Sequence, residues 1–248
     1  MINLKTDREL NLMRDAGRVV AEALHELEKA VRPGITTLAL DSLVEELFRK
    51  RGARPAFKGY QGYPASVCTS LNYEVVHGIP GLKSLVEGDI ISIDVGAEIN
   101  GYYGDAAVTL PVGEIDDLSK RLLVATKDAL MAGIEQCHKG KRLSDISHAV
   151  QSVAESRGFS VVKDYVGHGI GREMHEDPQV PNFGRPGRGL RLSPGLVLAI
   201  EPMVNIGRSD VEVLDDGWTV VTTDRSRSAH FEHSVAITEN GPEILTKL

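Results

Sequence analysis

The stretch IDVGAEINGYYGDAA, residues 93–107, places two aspartates, Asp94 and Asp105, among residues that are otherwise almost all apolar or glycine. A carboxylate is seldom buried alone, because it loses its hydration and a second carboxylate nearby repels it. Asn100-Gly101 lies between the two acids and is the strongest short signal for a two-residue β-hairpin turn. The stretch therefore predicts two antiparallel strands that bring two carboxylates to one poorly hydrated place.

The hairpin turn also fixes which residues face each other. Pairing outward from the turn places Asp94 opposite Ala107, and the same count places Asp105 opposite Gly96. The two aspartates are then diagonal neighbours on one face, about 7–8 Å apart between their Cα atoms. A shared proton, a buried Lys or Arg, or a metal cation could relieve their repulsion. The two strands supply no Lys or Arg, so an acid–base dyad and a metal site both stay open.

A second pair of acids repeats this pattern further along the chain. GDIISID at 88–94 is matched by GLVLAIE at 195–201, and DAAVT at 105–109 is matched by EHSVA at 232–236. Each matched segment carries an acid, and two predicted helices precede the acidic strands in each part of the chain. We therefore expect two related halves that face a shared site.

Apolar residues at helical spacing, with start and stop signals, predict four helices and several strands. Thr6 to Glu9 reads as a capping box, Pro33-Gly34 ends the first helix and Gly52 ends the second. The other three helices are expected over 38–51, 118–137 and 144–158, and strands over 89–99, 102–111, 161–167, 196–205, 211–214, 218–223 and 229–238. This mixture indicates an α/β or α+β sheet domain, and no linker divides the 248 residues.

Composition excludes several classes of protein. The net charge of −7 argues against a mainly electrostatic nucleic-acid binder. No apolar run reaches the ~20 residues needed to span a bilayer, and the first ten residues lack the apolar region of a signal peptide. The two cysteines form no CxxC pair, which fits a reducing compartment. We therefore expect a cytoplasmic protein that binds no membrane and no specific nucleic acid.

The second pair of acids, Glu201 and Glu232, strengthens the metal interpretation. Four carboxylates carry a charge of −4, which two divalent cations would balance and one would not. Such a ligand set suits Mn, Fe or Co, and Zn when a histidine joins it. Three histidines lie in glycine-flanked turns, where the backbone can approach a crowded site: His77, His168 and His175. Of the other histidines, His25, His138 and His148 are expected to be exposed, and strand alternation places His230 on the Glu232 face and His233 on the opposite one.

Asp94, Asp105, His168, Glu201 and Glu232, in this order and spacing, resemble the ligands of the methionine aminopeptidase family. The resemblance covers nearly the whole chain through specific motifs: GYQGYPASVCTSLN, VVHGIP, IDVGAEINGYYGDAA, GHGIGREMHEDPQV, LAIEPMV and DGWTVVTTDRSRSAHFEHSVAIT. It implies the α+β pita-bread fold, with two pseudo-symmetric halves and a curved antiparallel sheet covered by helices. Without a long N-terminal extension or a helical insertion, the chain resembles the short bacterial type I form, a single catalytic domain over 1–248.

The resemblance also implies roles for the five ligands. Asp94 would chelate one of two divalent ions, Asp105 and Glu232 would bridge both, and His168 and Glu201 would complete the second. The ions could be Co, Mn, Fe or Zn. A hydroxide between them would be the nucleophile, with Glu201 as the proton shuttle.

The remaining implied residues bind the substrate. His175 would stabilise the oxyanion, and His77 would contact the substrate beyond the scissile bond. The methionine pocket is expected from residues in the quoted motifs: Tyr60, Tyr63, Cys68 and Trp218, with Phe57 and Met174 at positions where the family often has Cys and Phe. Tyr73 also replaces a usual acid. The expected substrate is the initiator methionine of nascent peptides with a small second residue, which suggests a monomer that acts near the ribosome.

Three alternatives remain at the sequence level. Another pita-bread hydrolase, such as an X-Pro peptidase, usually carries a large N-terminal domain for which 248 residues leave no room. A catalytically silent binding module would typically have lost ligands, whereas all five are present. A metal-free carboxylate dyad would not explain why His168 accompanies four acids.

Overall fold

The protein is described by a computed structural model that covers residues 2–248. The described residues form four α-helices: α1 Asp7–Ala30, α2 Thr37–Arg51, α3 Asp117–Ile134 and α4 Leu143–Ser156. A short 3₁₀ turn covers Tyr60–Gly62. The strands are β1 Arg54–Pro55, β2 Val67–Leu71, β3 Glu74–Val76, β4 Ile90–Ile99, β5 Tyr102–Pro111, β6 Ser160–Val161, β7 Gly167–Gly169, β8 Glu176–Val180, β9 Val197–Ile200, β10 Met203–Asn205, β11 Val211–Val213, β12 Val220–Thr222, β13 Ser228–His230, β14 His233–Thr238 and β15 Gly241–Ile244. The α+β prediction is confirmed.

The helix ends follow the local sequence signals. The capping box of α1 is confirmed, because the Glu9 amide donates to Thr6 Oγ1 and the Thr6 amide donates to Glu9 Oε2. Gly52 ends α2 in the left-handed region, with φ of 68°. Helix α3 ends before the predicted residue 137, because the Cys137 amide donates to the carbonyl of Ile134 in a tight turn.

The β4–β5 hairpin has the register that its turn predicts. Asp94 pairs with Ala107, and Asp105 pairs with Gly96. Asn100 and Gly101 both have positive φ, of 54° and 78°, as a type I′ turn requires. The two aspartates therefore lie diagonally on one face of two long, nearly continuous strands.

The strands form four antiparallel sheets among the described residues. One joins β1, β4, β2 and β5, and the largest has the order β15-β14-β9-β7-β8. Two three-stranded sheets complete the set, one of β13, β10 and β6 and the other of β11, β12 and β3. Five of these strands were not predicted, because they are two to five residues long or follow turns: β1, β2, β3, β8 and β15.

Two apolar cores divide the molecule into the two expected halves. Helices α1 and α2 pack over β2, β4 and β5 around one core, which includes Val20, Leu40, Phe48 and Ile93. Helices α3 and α4 cover β9, β10 and β13 around the other core, which includes Leu122, Ile146 and Leu198. Val108 of β5 packs against both cores.

The strands predicted over 196–205 and 229–238 are wrong in one respect, since each is broken at its acid. The first divides at Glu201-Pro202 into β9 and β10, and the second divides at Phe231-Glu232 into β13 and β14. Pro202 has no N–H to donate to a neighbouring strand. The chain also changes sheets at both breaks, since β9 pairs with β14 and β10 with β13. The strand predicted over 161–167 likewise divides into β6 and β7.

Candidate metal centre and substrate pocket

A cavity of about 310 Å³ collects residues from both halves. Its lining contains every residue that the sequence predicted for the site, together with Gln61, which was not predicted. The lining residues are Phe57, Tyr60, Gln61, Tyr63, Cys68, His77, Asp94, Asp105, His168, Met174, His175, Glu201, Trp218 and Glu232. No Lys or Arg is among these described residues, so none offsets the four acids from the cavity wall.

The breaks in the strands place the second pair of acids. Asp94 and Asp105 lie within β4 and β5, whereas Glu201 follows β9 and Glu232 precedes β14. The β9–β14 register, continued by one residue, puts Glu201 opposite Glu232. The backbone of Glu232 also exchanges hydrogen bonds with Ala107 of β5, at 2.9 and 3.4 Å. This contact joins the two halves beside the acids.

His168 lies among the carboxylates. Its Nε2 atom is 3.7 Å from Asp105 Oδ2 and 3.6 Å from Glu201 Oε1. One ligand atom each from Asp105, His168 and Glu232 lies within 4.8 Å of the others, and all three residues are buried. These separations are too long for hydrogen bonds but suit donors that surround one cation.

The tautomer of His168 follows from its backbone contact. Nδ1 is 2.8 Å from the carbonyl oxygen of Gly169. A carbonyl oxygen can only accept, so Nδ1 carries the hydrogen and Nε2 keeps its lone pair. That lone pair faces the acids, which is the arrangement of a histidine prepared to bind a metal.

Several buried polar atoms of the site have no hydrogen-bond partner within the described chain. They include Asp94 Oδ1, Asp105 Oδ1 and Glu232 Oε1. An unpartnered buried oxygen costs about 1–3 kcal/mol, and more when it is charged. Divalent cations would satisfy these oxygens and balance their charge, so the residues present fit a metal centre.

Burial changes the pKa values of the whole cluster. It raises the pKa of Asp94 to about 7 and that of Glu201 to about 8. Burial and the neighbouring carboxylates raise the pKa values of Asp105 and Glu232 well above the usual range. Burial, with His175 nearby, lowers the pKa of His168 to about 3. His168 is therefore neutral at pH 7, and the acids cannot all be ionised there without cations.

The apolar end of the cavity is a small cluster of its own. Phe57, Tyr63, Cys68 and Met174 are all buried, and Trp218 packs against them. The rings of Tyr63 and Trp218 meet edge to face with centroids 5.1 Å apart. The Tyr63 hydroxyl lies 2.9 Å from the Gly78 carbonyl, to which it donates, and this bond fixes the ring.

His175 and His77 lie at the border between the acids and this apolar end. His175 Nδ1 is 2.9 Å from the Tyr60 hydroxyl, and its ring centroid is 4.3 Å from that of His168. His77 adopts a φ of 61°, and its ring packs edge to face on Tyr165. Burial lowers the pKa of His77 to about 4 and also lowers that of His175. Both imidazoles are thus neutral at pH 7.

His230 also belongs to the site, although the sequence pattern gave it no separate role. It is 1% exposed, and its Nε2 atom is 3.6 Å from Glu201 Oε2 and has no hydrogen-bond partner in the described chain. The alternation of side chains along a continuous strand predicted that His230 lies on the same face as Glu232. Because the strand breaks between β13 and β14, His230 instead faces Glu201. His233 points away and bonds to Thr246 at 2.9 Å. The remaining histidines are exposed as predicted: His25, His138 and His148.

The sequence matches the profile described as Metallopeptidase family M24 over residues 11–239. The chain belongs to this family. It is 55% identical to methionine aminopeptidase 1 of Bacillus subtilis, with all of both chains covered. It is 56% identical to the methionine aminopeptidase of Clostridium acetobutylicum, with 99% of each chain covered.

Solved structures give the same family likeness. The methionine aminopeptidase of Thermotoga maritima superposes with a TM-score of 0.99 at 54% identity, over the whole of both chains. The Xaa-Pro dipeptidase of Bacillus anthracis shares the fold alone, with a TM-score of 0.80 at 23% identity over 62% of its length. These neighbours confirm the pita-bread fold, and M24 membership makes the chain a metallopeptidase. No helix among residues 2–248 is long and apolar enough to cross a membrane.

Proposed function

We propose that this protein is a methionine aminopeptidase, which removes the initiator methionine from peptides with a small second residue. One observation carries the proposal: buried carboxylates with unpartnered oxygens and a histidine of fixed tautomer adjoin an apolar cavity of about 310 Å³. Relatives about as long as this chain, with 54–56% identity to it, bear that name. We also propose that residues 1–248 act as one catalytic domain.

Two divalent cations are the cofactors that the site would hold. Asp94 would chelate one, Asp105 and Glu232 would be shared, and His168 and Glu201 would complete the other. Two cations balance the charge of four carboxylates, and the ligand set suits Co, Mn, Fe or Zn. When bound, such cations lower the pKa of water towards neutrality and so supply the nucleophile of a hydrolysis.

The side chains around the cations perform the remaining steps. Glu201 would take a proton from the attacking water and return it to the leaving amine, because bound cations would keep its buried carboxylate ionised. His175 is oriented by the Tyr60 hydroxyl and donates to the carbonyl oxygen as negative charge develops on it. His77 contacts the residue that follows the scissile bond. The substrate's free α-amine meets the carboxylates, which restricts cleavage to the N-terminus.

The apolar end of the cavity suits methionine. Methionine is long, unbranched and polarizable, and it makes favourable sulfur–aromatic contacts such as Tyr63, Trp218 and Phe57 could offer. Leucine is branched at Cγ and fits such a pocket less well. A misfit on this scale is worth about 1–3 kcal/mol, so we expect roughly 10–200-fold preference for methionine.

The substrate class suggests the setting. Nascent chains carry the initiator methionine, so we propose a monomer that acts in the cytoplasm close to the ribosome. Both cysteines, Cys68 and Cys137, are buried free thiols, which agrees with a reducing compartment.

The proposal is tested with Met-Ala-Ser, Leu-Ala-Ser and Lys-Pro peptides, before and after chelation. We expect hydrolysis of Met-Ala-Ser alone to be efficient, lost on chelation and restored by Mn²⁺ or Co²⁺. Asp105→Ala and Glu232→Ala should abolish activity and lower the metal content, while Glu239→Gln in an exposed ion pair serves as the control. Full turnover after exhaustive chelation would refute the metal mechanism. Cleavage of Lys-Pro would indicate an X-Pro peptidase, and no cleavage with metal bound would indicate a silent binding module.

The same assay separates His175 from the metal ligands. His175→Ala should lower kcat by roughly 10²–10³-fold if His175 donates to the oxyanion. Its metal content should stay near that of the wild type, because the Nδ1 atom bonds to Tyr60 rather than to the acid cluster. Loss of metal together with activity would show that His175 is a ligand instead.

A further inference from the structure

The loop that carries Met174 and His175 connects β7 to β8, and a buried ion pair between Lys5 and Glu176 lies against its backbone. We propose that Lys5 and Glu176 form a positioning device, which fixes this loop so that Met174 closes the substrate pocket and His175 points at the scissile bond. The expected changes in kcat and KM rest on the proposed function. Whether the ion pair fixes the loop can be measured by hydrogen exchange, which needs no activity.

Glu176 ties the loop to itself. Its Oε1 atom accepts hydrogen bonds from the backbone amides of Arg172 and Glu173, at 2.8 and 3.4 Å. Its Oε2 atom accepts from Lys5 Nζ at 2.6 Å. The backbone on either side is anchored as well, because Gly169 pairs with Glu176 and the Gly171 carbonyl accepts from the Tyr103 amide. One carboxylate therefore occupies the inside of the turn.

Lys5 reaches this carboxylate from a fixed starting point. Its backbone amide donates to the Gly195 carbonyl at 2.7 Å, and its Nζ also donates to the Asn3 carbonyl at 3.0 Å. The Lys5 side chain is 2% exposed and that of Glu176 is 10% exposed. A Cβ at Gly171 would lie only 2.4 Å from Lys5 Cε, so the lysine stem packs directly under the loop backbone.

A second contact holds the outer side of the same loop. The Arg172 guanidinium lies over the Tyr102 ring, 4.8 Å from its centroid, and donates to Glu9 Oε1 at 3.2 Å. Tyr102 donates its hydroxyl to the same Glu9 oxygen at 2.7 Å. The Arg172 side chain is 61% exposed, so its ion pair with Glu9 is worth little, whereas the Lys5–Glu176 pair is buried.

The loop delivers two side chains to the cavity. Met174 is 3% exposed and belongs to the apolar cluster with Phe57 and Cys68. His175 is oriented by the Tyr60 hydroxyl. Removing Lys5 would leave the Glu176 carboxylate buried without its cation, and such a carboxylate turns towards water. The amides of Arg172 and Glu173 then lose their acceptor, and both delivered side chains lose their fixed position.

The experiment compares Lys5→Met, Glu176→Gln and the double variant with the wild type. Lys139→Met is the matched control. It also removes a lysine from an ion pair, but the Lys139–Glu239 pair is exposed whereas the Lys5–Glu176 pair is buried. We measure kcat and KM for Met-Ala-Ser and Leu-Ala-Ser, Mn²⁺ affinity by calorimetry, and hydrogen exchange of the amides of residues 172–175.

We expect Lys5→Met to lower kcat roughly 10–100-fold, as displacement of a group by about 1 Å does. The preference for methionine over leucine should fall by roughly 10-fold, which lies within the roughly 10–200-fold discrimination that one misfitting methylene gives. Hydrogen exchange in the loop should accelerate at least tenfold, and Mn²⁺ affinity should stay unchanged. The double variant should lose no more than the worse single variant, because both act through one ion pair.

Three results would overturn the proposal. Folded single variants with unchanged loop exchange would show that the pair does not fix the loop. Losses of kcat that multiply in the double variant would show that the two residues act separately, and a parallel loss of Mn²⁺ affinity would place the effect at the metal centre. If Lys5→Met does not fold, Glu176→Gln breaks the same buried ion pair at nearly constant volume, and the same measurements are made on it. A wild type that does not cleave Met-Ala-Ser would refute the proposed function. The hydrogen exchange of the loop amides would still show whether the Lys5–Glu176 pair fixes the loop.

Discussion

Glu201 places each of its two carboxylate oxygens 3.6 Å from a different histidine ring. His168 Nε2 faces Oε1, and His230 Nε2 faces Oε2. The two imidazoles differ in their surroundings, because His168 Nδ1 is held by a backbone carbonyl. At 3.6 Å the contact with Oε2 is too long for a hydrogen bond, so we expect His230 to support the Glu201 carboxylate as a buried polar neighbour on the side away from His168.

A pair of substitutions at His230 separates its polar contact from its packing. His230→Leu should lower kcat by roughly 10–100-fold, because Glu201, the proposed acid–base group, would lose the imidazole that faces Oε2. His230→Gln keeps a polar group beside Oε2 and should recover most of that loss. Equal activity of the leucine and glutamine variants would contradict this role, and Mn²⁺ calorimetry on both shows whether the effect passes through metal affinity.

The residues of the candidate site show which parts of its geometry can be predicted from the sequence. Asp94 and Asp105 could be paired because a two-residue turn fixes the register of continuous strands, and that register is correct. Glu201 and Glu232 were recognised as buried acids, but their geometry depends on strand breaks. A proline signals one break, and nothing local signals the other. Gln61 and the facing of His230 follow from tertiary contacts alone, so they could not be predicted.

At the scale of elements, two glycines decide how closely α1 approaches the sheet. A Cβ at Gly104 of β5 would lie 2.8 Å from the backbone nitrogen of Gly17 in α1. A Cβ at Gly17 would in turn lie 2.3 Å from the Leu245 carbonyl oxygen. Helix and strand therefore meet backbone to backbone one residue before Asp105, and neither neighbour is a flexible side chain that could move aside.

Gly104→Ala should consequently force α1 and β5 apart. We expect a loss of about 1–3 kcal/mol in the free energy of unfolding, as for other overpacked sites. Gly81→Ala is the matched control, because nothing lies within 4 Å of its Cβ position and its φ is ordinary. Urea unfolding of both variants checks this, and equal midpoints would show that the contact between α1 and β5 yields without cost.

Short strands mark the other limit of sequence-based prediction at this scale. Helices α1 and α2 were predictable because each carries capping signals and an apolar stripe. Strands such as β1 and β3 contain only two or three residues, and their pairing depends on β4 and β12. Too few residues exist in them for alternation to be visible.

At the scale of the whole molecule, the acid cluster connects stability to pH. Asp94 and Glu201 have folded-state pKa values of about 7 and 8, raised by burial from 3.8 and 4.5. A raised carboxyl pKa means that the folded state binds more protons than the unfolded state. The stability that these protons contribute is complete below about pH 4 and is lost as the pH rises towards 7–8. Cations compete with the same protons for the same oxygens.

We therefore expect metal-free protein to lose stability between pH 5 and pH 8, and bound metal to remove that loss. Thermal unfolding with chelator should give a Tm lower by about 5 °C at pH 8 than at pH 5, since 1 kcal/mol shifts a chain of this length by about 2–4 °C. Saturating Mn²⁺ should raise the Tm more at pH 8 than at pH 5. An equal increase at both pH values would show that protons and metal do not compete at these acids.

One acid of the cluster comes from very late in the chain. Asp105 belongs to the first half, whereas Glu232, which lies within 4.8 Å of it, comes from the second half and joins β5 through its backbone. During synthesis the ribosome adds residue 232 long after the β4–β5 hairpin is complete. An unfinished chain has only part of the cluster, so we expect it to be inactive. If the substrates are the newly made proteins proposed above, the peptidase is inert while it is itself being made, because its last acid is added near the end of synthesis.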